Sequence, residues 1–144
     1  MVQTTGALSS GLEDYIETIY VAYLNETPLK GADLARKMGI SRASVSEALS
    51  KLVTKKLITY NSYETITLTP LGMEFAKTVY NKHHILKDFF EEVLGIPAKE
   101  AGENACKIEH IISQNVLNKM VEFTEFCRKH KNFTKEFKKD TTKQ

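Results

Sequence analysis

In "LEDYIETIYVAYLNE", residues 12–26, Leu12, Ile16, Ile19, Tyr20 and Tyr23 recur at helical spacing with acids between them, so the pattern predicts a first helix. The break "ETPLK" follows, with Pro28 marking a turn. "KGADLARKMGI" predicts a short helix with Leu34, Ala35 and Met38 inward, stopped at Gly39. "SRASVSEALSKLVTKKL" opens on Ser41, a good N-cap, and lines up Val45, Leu49, Leu52 and Val53 on one stripe. Two short helices joined through Gly39-Ile40-Ser41 have the spacing of a helix-turn-helix. The period then changes. "LITYNSYETITLT" is β-branched and aromatic around Asn61-Ser62, which predicts a modest hairpin. Helix, helix-turn-helix and hairpin, in that order, make a winged helix.

Two longer helical patterns follow. One is predicted over about residues 70–94, opened by Pro70 and ended by Gly95 and Pro97. The other is predicted over about 98–126, with Ala105, Ile108, Ile112, Val116 and Met120 on one face. The end, "CRKHKNFTKEFKKDTTKQ", predicts either a frayed amphipathic helix or a disordered basic tail. The expected fold is mainly α: a winged helix-turn-helix domain over residues 1–74 and a helical domain over 75–144.

Composition changes little: 42% apolar and 26% charged residues are ordinary for a globular chain of 144 residues. No apolar run reaches the length of a membrane span. The first ten residues lack the basic and apolar regions of a signal peptide. Cys106 and Cys127 are too few for a disulfide scaffold, so a reducing cytoplasm is the expected home.

Charge changes more. The net value is only +2, but residues 30–60 carry seven bases against two acids and residues 128–144 again seven against two. Residues 1–29 carry four acids and no base. Separated basic zones fit a nucleic-acid footprint. Ser41, Arg42, Ser44 and Ser46 at the start of the third helix suit a major groove, where short hydroxyls allow close approach and Arg42 reaches phosphate or guanine. Lys51, Lys55 and Lys56 can neutralise phosphates, and Tyr60 and Tyr63 on the wing can touch the sugar-phosphate backbone. The bland alternative is a cap and solvated lysines. Glu47 is awkward on this face, since an acid repels phosphate.

"ENACKIEHIIS" adds a second chemistry. Cys106, Glu109 and His110 stand at i, i+3 and i+4, neighbours on a helix. One soft, one hard and one intermediate donor suit Mn(II), Fe(II), Co(II) or Zn(II), not Ca(II). Further ligands must come from elsewhere; Asp14 with Glu17, and His83 or His84, are candidates. Taken alone, a cysteine on an apolar helix is usually core and an Asp-Glu pair three apart is usually solvated surface. The pair Cys127 and His130 reads as tail.

The quoted "LEDYIETIY", "GISRASVSEALSKL", "ITLTPLG", "KHHILKDFFEEVLGI" and "CKIEHIIS" resemble, in order, the iron- and manganese-dependent repressors of the diphtheria toxin repressor family. The resemblance implies a homodimeric repressor of metal-uptake genes. Mn(II) or Fe(II) would be its corepressor and a double-stranded palindromic operator its target. It implies metal ligands at Asp14, Glu17, His83, Cys106, Glu109 and His110, and none at His84. Asp14 matches the manganese type, while Cys106 matches the iron type, where manganese-type members carry Glu. Lys87 stands where the iron type has an acid, and no SH3-like domain is expected after residue 125. Two rival readings are a metal-independent winged-helix regulator sensing oxidants or a small ligand, and an enzyme using metal-bound water. The second lacks any substrate pocket or positioned acid in the sequence.

Overall fold

A computed structural model describes residues 8–142. Most of the N-terminal stretch read for a signal peptide, and the last two residues of the basic tail, lie outside it. The chain divides into two compact units, one ending at Val79 and the other beginning at Tyr80.

The first unit holds α1 (Ser10–Leu24), α2 (Gly31–Met38), α3 (Arg42–Thr54), β1 (Ile58–Thr59), β2 (Thr67–Leu68) and the opening turns of α4 (Pro70–Asp88). It is a winged helix-turn-helix. Ser9 caps α1, its Oγ accepting from the Leu12 N–H at 3.3 Å. Gly39 ends α2 at φ 67°, where a side chain is disfavoured, and its neighbour Ile40 returns a hydrogen bond to the Ala35 carbonyl at 3.1 Å. Ser41 then caps α3 by accepting from the Ser44 N–H at 3.1 Å.

Leu34, Val45, Leu49, Leu52, Leu57 and Ile58 are almost wholly buried and join α2, α3 and β1 in one core with Ile16 of α1. Each such side chain stabilises the fold by about 1.5–3 kcal/mol. The α3 stripe differs by one residue from the expectation: Ala48 is buried and Val53 is 40% exposed. Ala48 lies next to Leu49 and in line with Val45 and Leu52 around the helix, whereas Val53 falls past the edge of that arc.

The hairpin is short. Ile58 faces Leu68 and Thr59 faces Thr67 in antiparallel register. Extra bonds fix it: Ile66 N–H donates to the Leu29 carbonyl at 2.8 Å, and Thr69 Oγ1 donates to the Lys56 carbonyl at 2.6 Å. Gly72 brings α4 against β1's lead-in so closely that a Cβ there would sit 1.8 Å from the Leu57 carbonyl oxygen.

The second unit contains the remainder of α4, a π-helical turn (Phe89–Val93), α5 (Ala98–Ile108), α6 (Gln114–Lys129) and α7 (Lys131–Thr141). Leu86, Ala105 and Leu117 form its core, with Ile85, Phe90, Ile108, Ile112 and Met120 packed around them. The helix predicted over 98–126 is two helices. Ser113 caps α6, accepting from the Val116 N–H at 3.3 Å, and so starts a new helix instead of continuing α5. The break resets the apolar phase: Leu117 is buried, and Val116, expected inward, is 47% exposed. The basic end is helical as α7, with the Phe133 ring against those of Phe123 and Phe126 of α6, all three exposed, and Phe137 exposed one turn further along. Arg128 of α6 grips the π-helical turn, donating to both carboxylate oxygens of Glu92 at 2.7 Å. Among the described residues no helix is long and apolar enough to cross a membrane.

Candidate metal centre and nucleic-acid interface

The second unit gathers four of the metal candidates. His83 projects from α4, Cys106 from the last turn of α5, Glu109 caps that helix and His110 follows it. The Glu109 N–H still donates to the Ala105 carbonyl at 2.9 Å, so helical spacing persists where α5 ends and the i, i+3 relation of Cys106 to Glu109 survives. Donor atoms of His83, Cys106 and Glu109 lie within 4.8 Å of one another.

Glu109 is the unusual member. Its side chain is fully buried. The Oε2 atom accepts from His83 Nδ1 at 2.8 Å. A carboxylate oxygen accepts, so this bond has His83 Nδ1 as its donor and turns Nε2 away from Glu109. The other oxygen, Oε1, is buried with no hydrogen-bond partner among the described residues; His110 Nε2 is 3.6 Å away, beyond bonding distance. Burying an ionised carboxylate with one oxygen unsatisfied is costly. A cation would satisfy that oxygen, and the surrounding nitrogen and sulfur donors are those a transition metal takes. The residues therefore fit a divalent metal.

Cys106 is exposed and Cys127 buried, and neither forms a disulfide. Burial pushes the Cys127 thiol up, which keeps it protonated and inert. His84 lies outside the donor cluster. It packs against Tyr80 with ring centres 4.2 Å apart, and burial, then the neighbouring His83, pull its pKa down. Asp14 and Glu17 are half-buried on α1, one turn apart in the winged unit.

The DNA candidates all lie in the first unit. Ser41, Arg42, Ser44 and Ser46 are exposed along the start of α3. Ser41 serves as the cap and also donates from Oγ to Ser44 Oγ at 2.9 Å, so the bland and functional readings coexist in one residue. Glu47 is less awkward than it looked, because Lys51 pairs with it at 3.1 Å across one turn. A cleft of about 300 Å³ between α3 and the wing is lined by Lys30, Arg42, Ser46, Tyr60 and Tyr63 among others. Tyr60 is half-buried with its hydroxyl over Gly31, and Tyr63 is 91% exposed at the wing tip.

Lys30 was not singled out from sequence. Its position was legible only in part: it directly precedes a helix start, and its backbone N–H donates to Asp33 Oδ2 at 2.9 Å. That N–H, followed by Arg36, holds the Asp33 carboxyl below the usual carboxylate range.

A winged unit with an exposed basic and hydroxyl-bearing helix, joined to a helical unit whose metal donors gather around a buried carboxylate, defines a class: DNA-binding regulators that answer to a divalent metal. Comparison with known proteins agrees. Residues 7–66 match the family description "Iron dependent repressor, N-terminal DNA binding domain". Residues 69–137 match "Iron dependent repressor, metal binding and dimerisation domain". The chain is 38% identical over 119 residues to an uncharacterized HTH-type transcriptional regulator of Methanocaldococcus jannaschii, covering 82% of this chain and 95% of that protein. It is 27% identical over 133 residues to the HTH-type transcriptional regulator MntR of Listeria monocytogenes serotype 4a, covering 92% and 93%. Among solved structures it is similar to the manganese regulator SloR, with TM-score 0.71, 28% identity and 80% of this chain covered. It matches 54% of that structure's chain, so it spans about half the length of that relative. The chain belongs to the iron-dependent repressor family. It is a metal-dependent transcriptional regulator with a DNA-binding domain and a dimerisation domain, not an enzyme.

Proposed function

We propose that this chain is a cytoplasmic repressor of metal-uptake genes that binds a palindromic operator as a homodimer when Mn(II) or Fe(II) is present. The observation that carries the metal half is the buried, unpartnered Oε1 of Glu109 among His83, Cys106 and His110. These four residues would hold the ion. Asp14 and Glu17 are assigned to it from the sequence pattern and from the likeness to metal-dependent repressors. When bound, a divalent cation would supply positive charge to the buried Glu109 carboxylate, whose Oε1 has no hydrogen-bond partner among the described residues.

The residues of this chain divide the remaining work. His83 orients the Glu109 carboxylate through its Nδ1–H. Cys106 biases the donor set toward softer ions, whereas Asp14 and Glu17 tolerate Mn(II). Arg42, Lys51 and Lys30 meet phosphates; Ser44 and Ser46 leave room for base edges, and Tyr60 and Tyr63 flank them. The aromatic face of Phe123, Phe126, Phe133 and Phe137 offers apolar surface for a second copy. Two-fold symmetry of the dimer would then match a palindrome. The oxidant-sensing, metal-independent alternative gains no support from either half of the family match.

Binding of metal and of DNA must be reciprocal: each raises affinity for the other by the same factor, typically about 5–150-fold. The test is operator binding with and without Mn(II), or Fe(II) under anaerobic conditions. Equal affinity in both sinks the switch. Metal titration of the Glu109→Ala variant should show lost binding; an unchanged stoichiometry and affinity would remove Glu109 from the site.

A further inference from the structure

Three non-glycine residues among those described have positive φ: Glu26 at 54°, Lys56 at 59° and Tyr63 at 70°. Two have a local reason. Glu26 ends α1, where Thr27 N–H donates to the Ala22 carbonyl at 2.9 Å and Glu26 N–H to the Tyr23 carbonyl at 3.1 Å. Lys56 ends α3 with the same pair of bonds, Leu57 to Leu52 at 3.0 Å and Lys56 to Val53 at 2.9 Å. Such crossed bonds need a left-handed residue after the helix.

Tyr63 ends no helix. It is the third residue of a turn closed by the Glu64 N–H donating to the Asn61 carbonyl at 3.0 Å. At that position a positive φ favours glycine or asparagine. An aromatic side chain there is strained, and the fold gives it little in return. It is the most exposed of the large apolar residues described, at 91%, and makes no hydrogen bond or ring contact among the described residues. Its turn neighbours Asn61, Ser62, Glu64 and Thr65 are exposed and polar. A protein partner prefers a contiguous apolar patch, which this tip lacks. It shares its cleft instead with the cations Lys30 and Arg42 and with Ser46 of α3.

We infer that the wing holds Tyr63 out against its backbone preference so that its ring lies on the apolar surface of duplex DNA, deoxyribose or base edge, beside the bases that α3 faces. This rests on the DNA-binding reading above. An apolar contact adds affinity without releasing counterions, whereas Arg42 and Lys30 act through phosphate. The ring therefore supplies the salt-independent part of the binding.

The experiment uses the full chain with Mn(II) and a duplex pool, randomised over two half-site lengths, from which the wild type selects its sites. Tyr63→Gly should lower affinity for the selected duplex about tenfold, the scale of one partly buried aromatic side chain returned to water. Its slope of log affinity against log salt should stay at the wild-type value. Its thermal midpoint should not fall, because glycine takes this φ freely. Tyr63→Phe should bind as the wild type does. Arg42→Gln should instead flatten the salt slope by about one. A loss shared by selected and scrambled duplexes assigns the ring to the sugar; a loss confined to selected ones assigns it to base edges. Tyr63→Gly binding as tightly as the wild type overturns the inference. So does a flattened slope in that variant, or Tyr63→Phe binding as weakly. A wild type that selects no duplex overturns the DNA reading itself.

Discussion

Glu109→Gln should have opposite effects on the metal-free and metal-loaded protein, and the structure sets both signs. Without metal, the side chain is a buried carboxylate with one oxygen held by His83 and the other unpartnered. The amide is almost isosteric and uncharged. Its oxygen can keep accepting from His83 Nδ1, and its N–H₂ faces His110 Nε2, 3.6 Å from the present Oε1. The substitution removes a desolvation penalty of several kcal/mol. It also weakens one charge-assisted hydrogen bond to a neutral one, a loss of about 1 kcal/mol. The net expectation is a metal-free variant more stable than wild type by about 1–2 kcal/mol. In a chain of this length that raises the midpoint by about 2–4 °C per kcal/mol.

With metal the order reverses. An ion present at a hundred times its dissociation constant stabilises the wild type by about 2.7 kcal/mol. The variant, lacking the carboxylate, should gain almost nothing. Thermal unfolding in EDTA and in excess Mn(II) measures all four states. If the variant is destabilised in EDTA and still rises with Mn(II) as the wild type does, Glu109 is an ordinary buried residue, and the fit of this site to a cation is wrong.

Gly72→Ala should destabilise the winged unit by about 3 kcal/mol, read by denaturant unfolding, because its Cβ would meet a backbone oxygen that cannot yield. Gly102→Ala is the contrast: nothing lies within 4 Å of its Cβ in α5, so about 1 kcal/mol of stabilisation is expected. Arg128 holds the Glu92 carboxyl below the usual range. A depressed carboxyl contributes above its unfolded pKa of about 4.3 and loses that contribution as pH falls through its folded value. Arg128→Gln should therefore cost about 0.5–1 kcal/mol at pH 7, discounted for exposure, and nothing in strong acid, as urea melts at the two pH values would show. Cys106→Ser should lower Zn(II) affinity relative to Mn(II) by about tenfold in competition titrations, since it removes the only soft donor of the cluster. An unchanged ratio would place the thiol outside the site.

The parts of the fold that were legible are those where one local signal decides. Ser41 caps α3 because a short hydroxyl before an apolar repeat has few other uses, and Gly39 stops α2 because the chain must turn left-handed there; the cap at Ser9 came only from the structure. The split between α5 and α6 was masked because the apolar repeat ran through it. Ile108 and Ile112 keep helical spacing across the break, and both pack on the same core cluster. The decisive signal was Ser113, a cap residue inside an apparently continuous pattern, with Leu117 instead of Val116 as the next buried position. Periodicity reports which face is apolar, not whether the backbone between two apolar residues stays helical.

The site divides the same way. Donor chemistry is written in residue types, so Cys106, Glu109 and His110 were visible as a group, whereas Glu47 and Lys51 were read separately and the structure pairs them. Burial is not written locally. Residue type alone does not separate Glu109 from the exposed acids Glu100 and Glu103 in the same segment; its burial is a property of the folded chain. Yet burial gives the cluster its meaning, because a solvated carboxylate three residues from a cysteine needs no cation and a buried one does. Tyr63 is the converse case. Its exposure was easy to expect in a polar turn, but its strain was not, since a positive φ is a property of the closed turn and not of the tyrosine. Both residues hold states that the fold alone does not favour, and both stand where the family's two ligands, metal and DNA, are expected to bind.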